Sequence, residues 1–225
     1  MRQLFLFGDV SYNIKENFKF FVKSCGDEPN IAVLMMNINS KKYESLYSVP
    51  LSELNAKFKF IYPEGENVNK NDVDYIKNQS NGILMAGGTP KVYSKVYVQS
   101  EIRELIKQKY NAGYPYAGVS AGAIMATEYY EDTIIKKSDN KNEMFLVSKF
   151  NEKVGNCSQS NIGLGLIKNI LLEPHFAEWG LFPAFLEKLN GSKVKCGMGF
   201  DESIGIRIVN EDIVDIFRKR KNIFL

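Results

Sequence analysis

Tyr114-Pro115-Tyr116-Ala117-Gly118-Val119-Ser120-Ala121-Gly122-Ala123-Ile124-Met125-Ala126 is the stretch whose reading decides the fold. Tyr114 to Val119 reads as a buried strand, and Ala121 to Ala126 as a small-residue helix suited to close packing on a sheet. Between them one serine stands with a glycine two positions to either side. A strand, a sharp turn and a helix around Gly-x-Ser-x-Gly present a hydroxyl at the end of an α/β sheet. The flanking glycines are expected to serve both the backbone angles and the room such a turn needs. A serine hydroxyl is a weak nucleophile at neutral pH. It requires a base to take its proton and donors to hold the oxyanion formed on attack. The Ala121 N–H, at a helix N-terminus with its positive dipole end, is one natural donor. The bland alternative is a packing turn with an incidental serine, and the strand-before, helix-after setting weighs against it.

Outward from this turn, strands and helices alternate. Leu4 to Gly8, Ile31 to Met36, Phe58 to Tyr62 and Gly82 to Ala86 are apolar runs of strand length. Helical spacing appears over Ile14 to Val22, over Tyr43 to Leu54 with Pro50 as an interruption, over Asn71 to Asn78 and over Ser100 to Tyr110. This order implies parallel βαβ units and a sheet covered on both faces, with ligands at the carboxyl ends of its strands. Two loops fall at that edge, Gly87-Gly88-Thr89 and the Ser120 turn. Gly87-Gly88 fits a second oxyanion donor because glycine lets backbone approach a ligand. Farther along, Asp132 to Ile135 and Met144 to Val147 read as short strands, residues 150–161 as a loop and about Pro183 to Leu189 as a helix. Strands close the chain at Met198 to Phe200, Ile204 to Val209 and Ile213 to Phe217.

Composition excludes several classes. The chain has 225 residues, 44% of them hydrophobic, enough for one compact domain over residues 1–225. Its 29 basic and 26 acidic residues leave a formal charge of +3, and the basic ones are scattered apart from Arg218 to Lys221, which reads as a solvated tail. No basic stripe or reader motif marks a nucleic-acid partner. Cys25, Cys157 and Cys196 are odd in number and widely spaced, against a disulfide framework or a zinc site. No run approaches the ~20 apolar residues of a membrane span. The expectation is a cytoplasmic protein with no metal, no organic cofactor and no membrane or nucleic-acid partner. Oligomeric state is not legible, and a homodimer stays open.

One residue is fixed by elimination: the chain contains a single histidine, so a Ser-His mechanism must use His175. His175 follows the apolar run Ile170-Leu171-Leu172 and a proline, in the kind of loop that carries catalytic groups. For the carboxylate that would orient the imidazole, the residues leave Asp132, Asp201 and Glu202 open. Trp179 and Phe182 beyond the histidine fit a more apolar pocket or core packing, and packing is the preferred reading.

Four segments in order resemble the dipeptidase E and cyanophycinase family of serine peptidases. Ala117 to Ala123 is similar to its nucleophile segment, and Met85-Ala86-Gly87-Gly88 to its strand ending in a glycine pair. Glu173-Pro174-His175-Phe176 is similar to its histidine segment, and Gly197-Met198-Gly199-Phe200-Asp201-Glu202 to its Gly-x-Gly-x-Asp-Glu segment. The resemblance implies a fold like class I glutamine amidotransferases: a three-layer, doubly wound, mostly parallel α/β sheet with helices on both faces and the nucleophile on a strand-turn-helix elbow. It implies Ser120, His175 and Glu202 as catalytic residues and Gly88 and Ala121 as oxyanion donors. Asp132 is the nearest counterpart of the dipeptidase branch's acid. The implied activity is hydrolysis of small peptides, aspartyl dipeptides among them. Two places differ from the family's patterns: Thr89-Pro90 after the glycine pair, and Ala177 to Phe182 without a basic residue. The other readings are an α/β-hydrolase esterase, opposed by the strands that follow His175, and an inactive relative that acts by binding.

Overall fold

The structure, a computed structural model, describes residues 1–10, 14–131, 135–137, 144–146, 161–192, 194 and 196–218. Five strands form a parallel block: β1 (Gln3–Phe7), β2 (Asn30–Leu34), β3 (Lys57–Ile61), β4 (Gly82–Met85) and β5 (Tyr116–Val119). They lie in the order β3, β2, β4, β5, β1. Every one ends at the same edge, so the loops after β1, β4 and β5 are neighbours.

The apolar runs are continuous because both faces of these strands are covered. Leu4, Leu6, Leu34, Ile83, Met85 and Tyr116 pack on one side with α3 (Lys70–Asp74), α4 (Pro90–Tyr93), α5 (Ile102–Asn111) and α6 (Ala121–Met125). Phe5, Phe7, Ile31, Val33, Leu84 and Val119 pack on the other, with Phe18 and Phe21 of α1 (Ile14–Ser24) and Tyr47 and Leu51 of α2 (Glu44–Glu53).

In the second half, β6 (Tyr129–Tyr130) pairs with β9 (Asn161–Ile162), and β7 (Ile135–Lys137) with β8 (Met144–Leu146). β10 (Ile170–Pro174) and β11 (Cys196–Phe200), bridged by α7 (Phe182–Gly191), form a parallel pair of their own outside the central sheet. β12 (Ile204–Val209) then returns antiparallel beside β1, and β13 (Asp212–Arg218) forms the edge. Because β12 runs backwards, its first residues arrive at the edge where β1 ends.

Several boundaries differ from expectation. Pro50 does not interrupt α2, which continues to Glu53. Pro90 opens a helix of its own, continued by a wider turn over Ser94–Val98, and the helix after it begins at Ile102. A similar wider turn, Tyr75–Gln79, completes α3. Residues 132–134, 147–160 and 219–225, which include the Asp132 candidate, most of the expected loop and most of the basic run, lie outside the described residues. Among the described residues no helix is long and apolar enough to cross a membrane.

α6 touches the sheet closely. A side chain on Gly122 would stand 2.2 Å from the Met85 carbonyl oxygen, and one on Gly118 2.3 Å from the Gly122 oxygen. Tyr116 Oη donates to that same Gly122 oxygen at 2.8 Å. The backbone on both sides cannot yield, so Gly122→Ala is expected to destabilise the chain by about 3 kcal/mol or more in urea unfolding. A midpoint equal to wild type would contradict this close approach.

Candidate active site

Ser120 joins β5 to α6 with φ 50° and ψ −111°, a left-handed backbone that a serine adopts at a cost of roughly 1–3 kcal/mol. Its N–H donates to the Phe7 oxygen at 2.8 Å, tying the turn to the end of β1. Neither Gly118 nor Gly122 has a positive φ. The expectation that they supply special angles is therefore corrected: they supply room, and the strain sits on the serine itself. α6 has only five residues, so its dipole is small, and its contribution is the Ala121 N–H at its start.

His175 closes β10 at φ 59°, another left-handed residue, with its ring buried. Its Nε2 lies 2.8 Å from Ser120 Oγ, and its Nδ1 lies 2.8 Å from Glu202 Oε1. With a carboxylate on Nδ1 the proton belongs there, which leaves the Nε2 lone pair facing the serine hydroxyl. The sole histidine, Ser120 and Glu202 are thus brought together from three separate segments. Of the other acids considered, Asp201 turns away and accepts the Ala177 N–H at 2.7 Å, which fixes the loop that carries His175. Glu202 is held through its own backbone. Its oxygen accepts from Asp9 N–H at 3.1 Å and its N–H donates to Glu178 Oε1 at 3.3 Å. Partial burial, then the neighbouring Asp201 charge, raises the Glu178 carboxyl against the backbone bonds that lower it.

The glycines of the Gly-x-Gly-x-Asp-Glu segment make room for the histidine segment. A side chain on Gly199 would enter the Phe176 ring at 2.3 Å, and one on Gly197 would enter the Phe185 ring at 2.3 Å. These two rings meet edge to face at 5.3 Å. Gly8 does the same at the end of β1, where a side chain would stand 2.1 Å from the Asp201 oxygen.

Gly87 and Gly88 adjoin Ser120: the place of a Gly87 side chain is 3.7 Å from Ser120 Cβ. Two tyrosines clamp this loop. Gly87 N–H donates to Tyr47 Oη at 2.9 Å, and Tyr93 Oη donates to the Gly87 oxygen at 3.2 Å. Burial pushes the Tyr47 phenol up to about 12 and Tyr93 well above the usual range, so both stay neutral. Gly88 N–H and Ala121 N–H have no hydrogen-bond partner among the described residues. No group of three or more His, Cys, Asp or Glu is placed to hold a metal ion among the described residues.

Trp179, expected in the core, instead stacks on His175, with ring centroids 4.2 Å apart and planes 5° apart. Phe182 is not core either, being 58% exposed. Tyr47 and Tyr93 were not singled out, and nothing in their sequence setting distinguishes them. Trp179 carried a signal in its place four residues after the only histidine, across a turn closed by Trp179 N–H to the His175 oxygen at 3.0 Å.

The sequence model of peptidase family S51 matches residues 39–216. A search of curated proteins finds no match. Among solved structures, a peptidase from an acI-B1 Actinobacterium superposes with a TM-score of 0.70 at 19% identity, over 92% of this chain and 83% of that one. A protein of Listeria monocytogenes EGD-e described as a peptidase E superposes with a TM-score of 0.68 at 14% identity, over 98% of this chain and 100% of that one. At these identities the two structures speak for the fold.

Since the chain holds one tryptophan and one histidine, stacked together, tryptophan emission reports on the imidazole. At a fixed pH, His175→Leu is expected to change the intensity of Trp179 emission because the stacked imidazole is lost. An emission spectrum identical to wild type would show that the rings are not in contact.

Proposed function

The chain belongs to peptidase family S51 and is a serine peptidase, and we propose that it hydrolyses small peptides through a Ser120–His175–Glu202 triad and an acyl-enzyme. The observation that carries this reading is the unbroken chain of 2.8 Å contacts from Ser120 Oγ through the imidazole to Glu202 Oε1. The family match decides between the peptidase and esterase readings.

In this mechanism Ser120 Oγ attacks the scissile carbonyl carbon while its proton passes to His175 Nε2. The carbonyl oxygen becomes an oxyanion held by the Gly88 and Ala121 N–H groups. Glu202, fixed on Nδ1, stabilises the imidazolium and keeps its orientation. The C–N bond then breaks as His175 gives its proton to the departing amine. A water, deprotonated by His175, next attacks the ester, and Ser120 recovers its proton as the acid product leaves. The two tyrosine clamps on Gly87 hold the Gly88 N–H ready before substrate arrives, as a preorganised oxyanion site requires.

The family resemblance adds aspartyl dipeptides as substrates. A carboxylate is best read by a basic fork, and Ala177 to Phe182, beyond the histidine, contribute none. The reading therefore stops at small peptides, and aspartyl dipeptides belong in the assay panel.

Ser120→Ala is expected to lose all labelling by a fluorophosphonate probe, and equal labelling of variant and wild type would refute the nucleophile. On a dipeptide panel that includes Asp-Xaa, His175→Ala is expected to lower kcat by at least ~10³ and Glu202→Gln by roughly 10³ or more. Asp201→Asn should cost much less, and the reverse ranking of the two acids would reassign the third position.

A further inference from the structure

A cavity of about 260 Å³ lies against the Gly87–Gly88 loop, walled by Met35, Tyr43, Leu46 and Tyr47. None of these six residues carries a charge at neutral pH. Met35 and Tyr47 are buried and form the floor, while Tyr43 and Leu46, 48% and 42% exposed, form the rim. Val49, 54% exposed, follows Leu46 by three positions on α2. One face of α2 thus buries Tyr47 and Leu51, while Tyr43 and Leu46 leave apolar surface in water at the cavity. Exposed apolar surface at the mouth of a concave site marks ligand contact.

The position of the cavity decides which part of a peptide it meets. Its Gly87 wall adjoins Ser120, with the place of a Gly87 side chain 3.7 Å from both Ser120 Cβ and Tyr47 Oη. No lining residue comes from the segments that carry His175, Trp179 or Glu202. A departing amine must meet His175 Nε2, so it leaves on the histidine side. The other side receives the residue whose carbonyl carbon is attacked.

We infer that this cavity binds the side chain of the acyl-side residue and selects an apolar or aromatic side chain over an aspartyl one. The inference rests on the Ser120–His175 reading given above. Its volume falls just below the roughly 300–1,000 Å³ of sites for drug-sized ligands, which suits one side chain and not a whole peptide. An aspartate placed there would lose hydration against Met35 and Leu46 with no opposite charge in the walls. The neighbouring charges are at the rim. Lys42 Nζ lies 5.0 Å from the centre of the Tyr43 ring, and the Glu44 carboxylate accepts from Tyr62 Oη. Lys42 is therefore the group to test as a rival carboxylate reader.

The experiment compares inactivation of the full chain by 1-aminoalkylphosphonate diphenyl esters bearing Leu, Phe, Ala or Asp side chains, with a fluorophosphonate lacking a side chain as reference. In each ester Ser120 Oγ forms a bond to phosphorus, phenoxide leaves with its electron pair, and the serine proton passes to His175. The Leu and Phe reagents are expected to react at least about 10-fold faster than the Asp reagent. Leu46→Arg, which puts a cation in the wall, is expected to lower the Leu-to-Asp rate ratio by about 10-fold or more, and Lys42→Ala to leave that ratio in place. Equal rates for all four esters with normal fluorophosphonate labelling would overturn the inference and spare the triad. So would an Asp reagent that reacts fastest and slows in Lys42→Ala. If no reagent labels Ser120, the nucleophile itself is wrong and the inference goes with it.

Discussion

Everything at the carboxyl edge depends on one strained residue. Ser120 is held left-handed between a strand and a five-residue helix, a state worth roughly 1–3 kcal/mol of strain that only its surroundings can maintain. They do so with backbone. The Phe7 oxygen takes its N–H, Tyr116 Oη holds the Gly122 oxygen, and carbonyls fill the space where side chains on Gly118 and Gly122 would stand. With so little freedom, the hydroxyl has one place to be. The imidazole of His175 meets it there at 2.8 Å.

The two halves of the site are built differently. Ser120 and the glycine pair follow adjacent strands of the central sheet, so their spacing is set by the parallel ladder between β4 and β5. His175 belongs to the small β10–β11 pair and reaches the serine from outside the sheet. The aromatic rings of Phe176 and Phe185, seated on Gly199 and Gly197, join its segment to the strand leading to Glu202. His175 and Glu202 thus follow the two strands of one parallel pair. Trp179 stacks on the imidazole with ring planes 5° apart and covers one face of it.

Much of this was legible in the residues. Continuous apolar runs gave the buried parallel strands because burial on both faces leaves no alternation to confuse them. Ser120 and His175 followed from a local motif and from counting, since only one histidine exists. Glu202 did not follow from the residues alone. Asp201 and Glu202 are chemically similar neighbours, and what separates them is that one turns to the Ala177 N–H and the other to the imidazole. That distinction depends on three-dimensional placement, and the family resemblance supplied it. The separate pairing of β10 with β11 was illegible for a related reason: an apolar run states that a strand is buried and not which strand it joins. Tyr47 and Tyr93 act through single hydroxyls on the two sides of one glycine, contacts that leave no periodic trace.

The way Glu202 is anchored has a consequence for biosynthesis. Its backbone is fastened to Asp9, 193 positions earlier in the chain, and it enters the site only because β12 folds back against β1. Such a long-range closure is among the last steps that loop entropy allows. Of Ser120, His175 and Glu202, the glutamate is the last to be synthesised, and it meets the imidazole only once β12 has returned to the first strand.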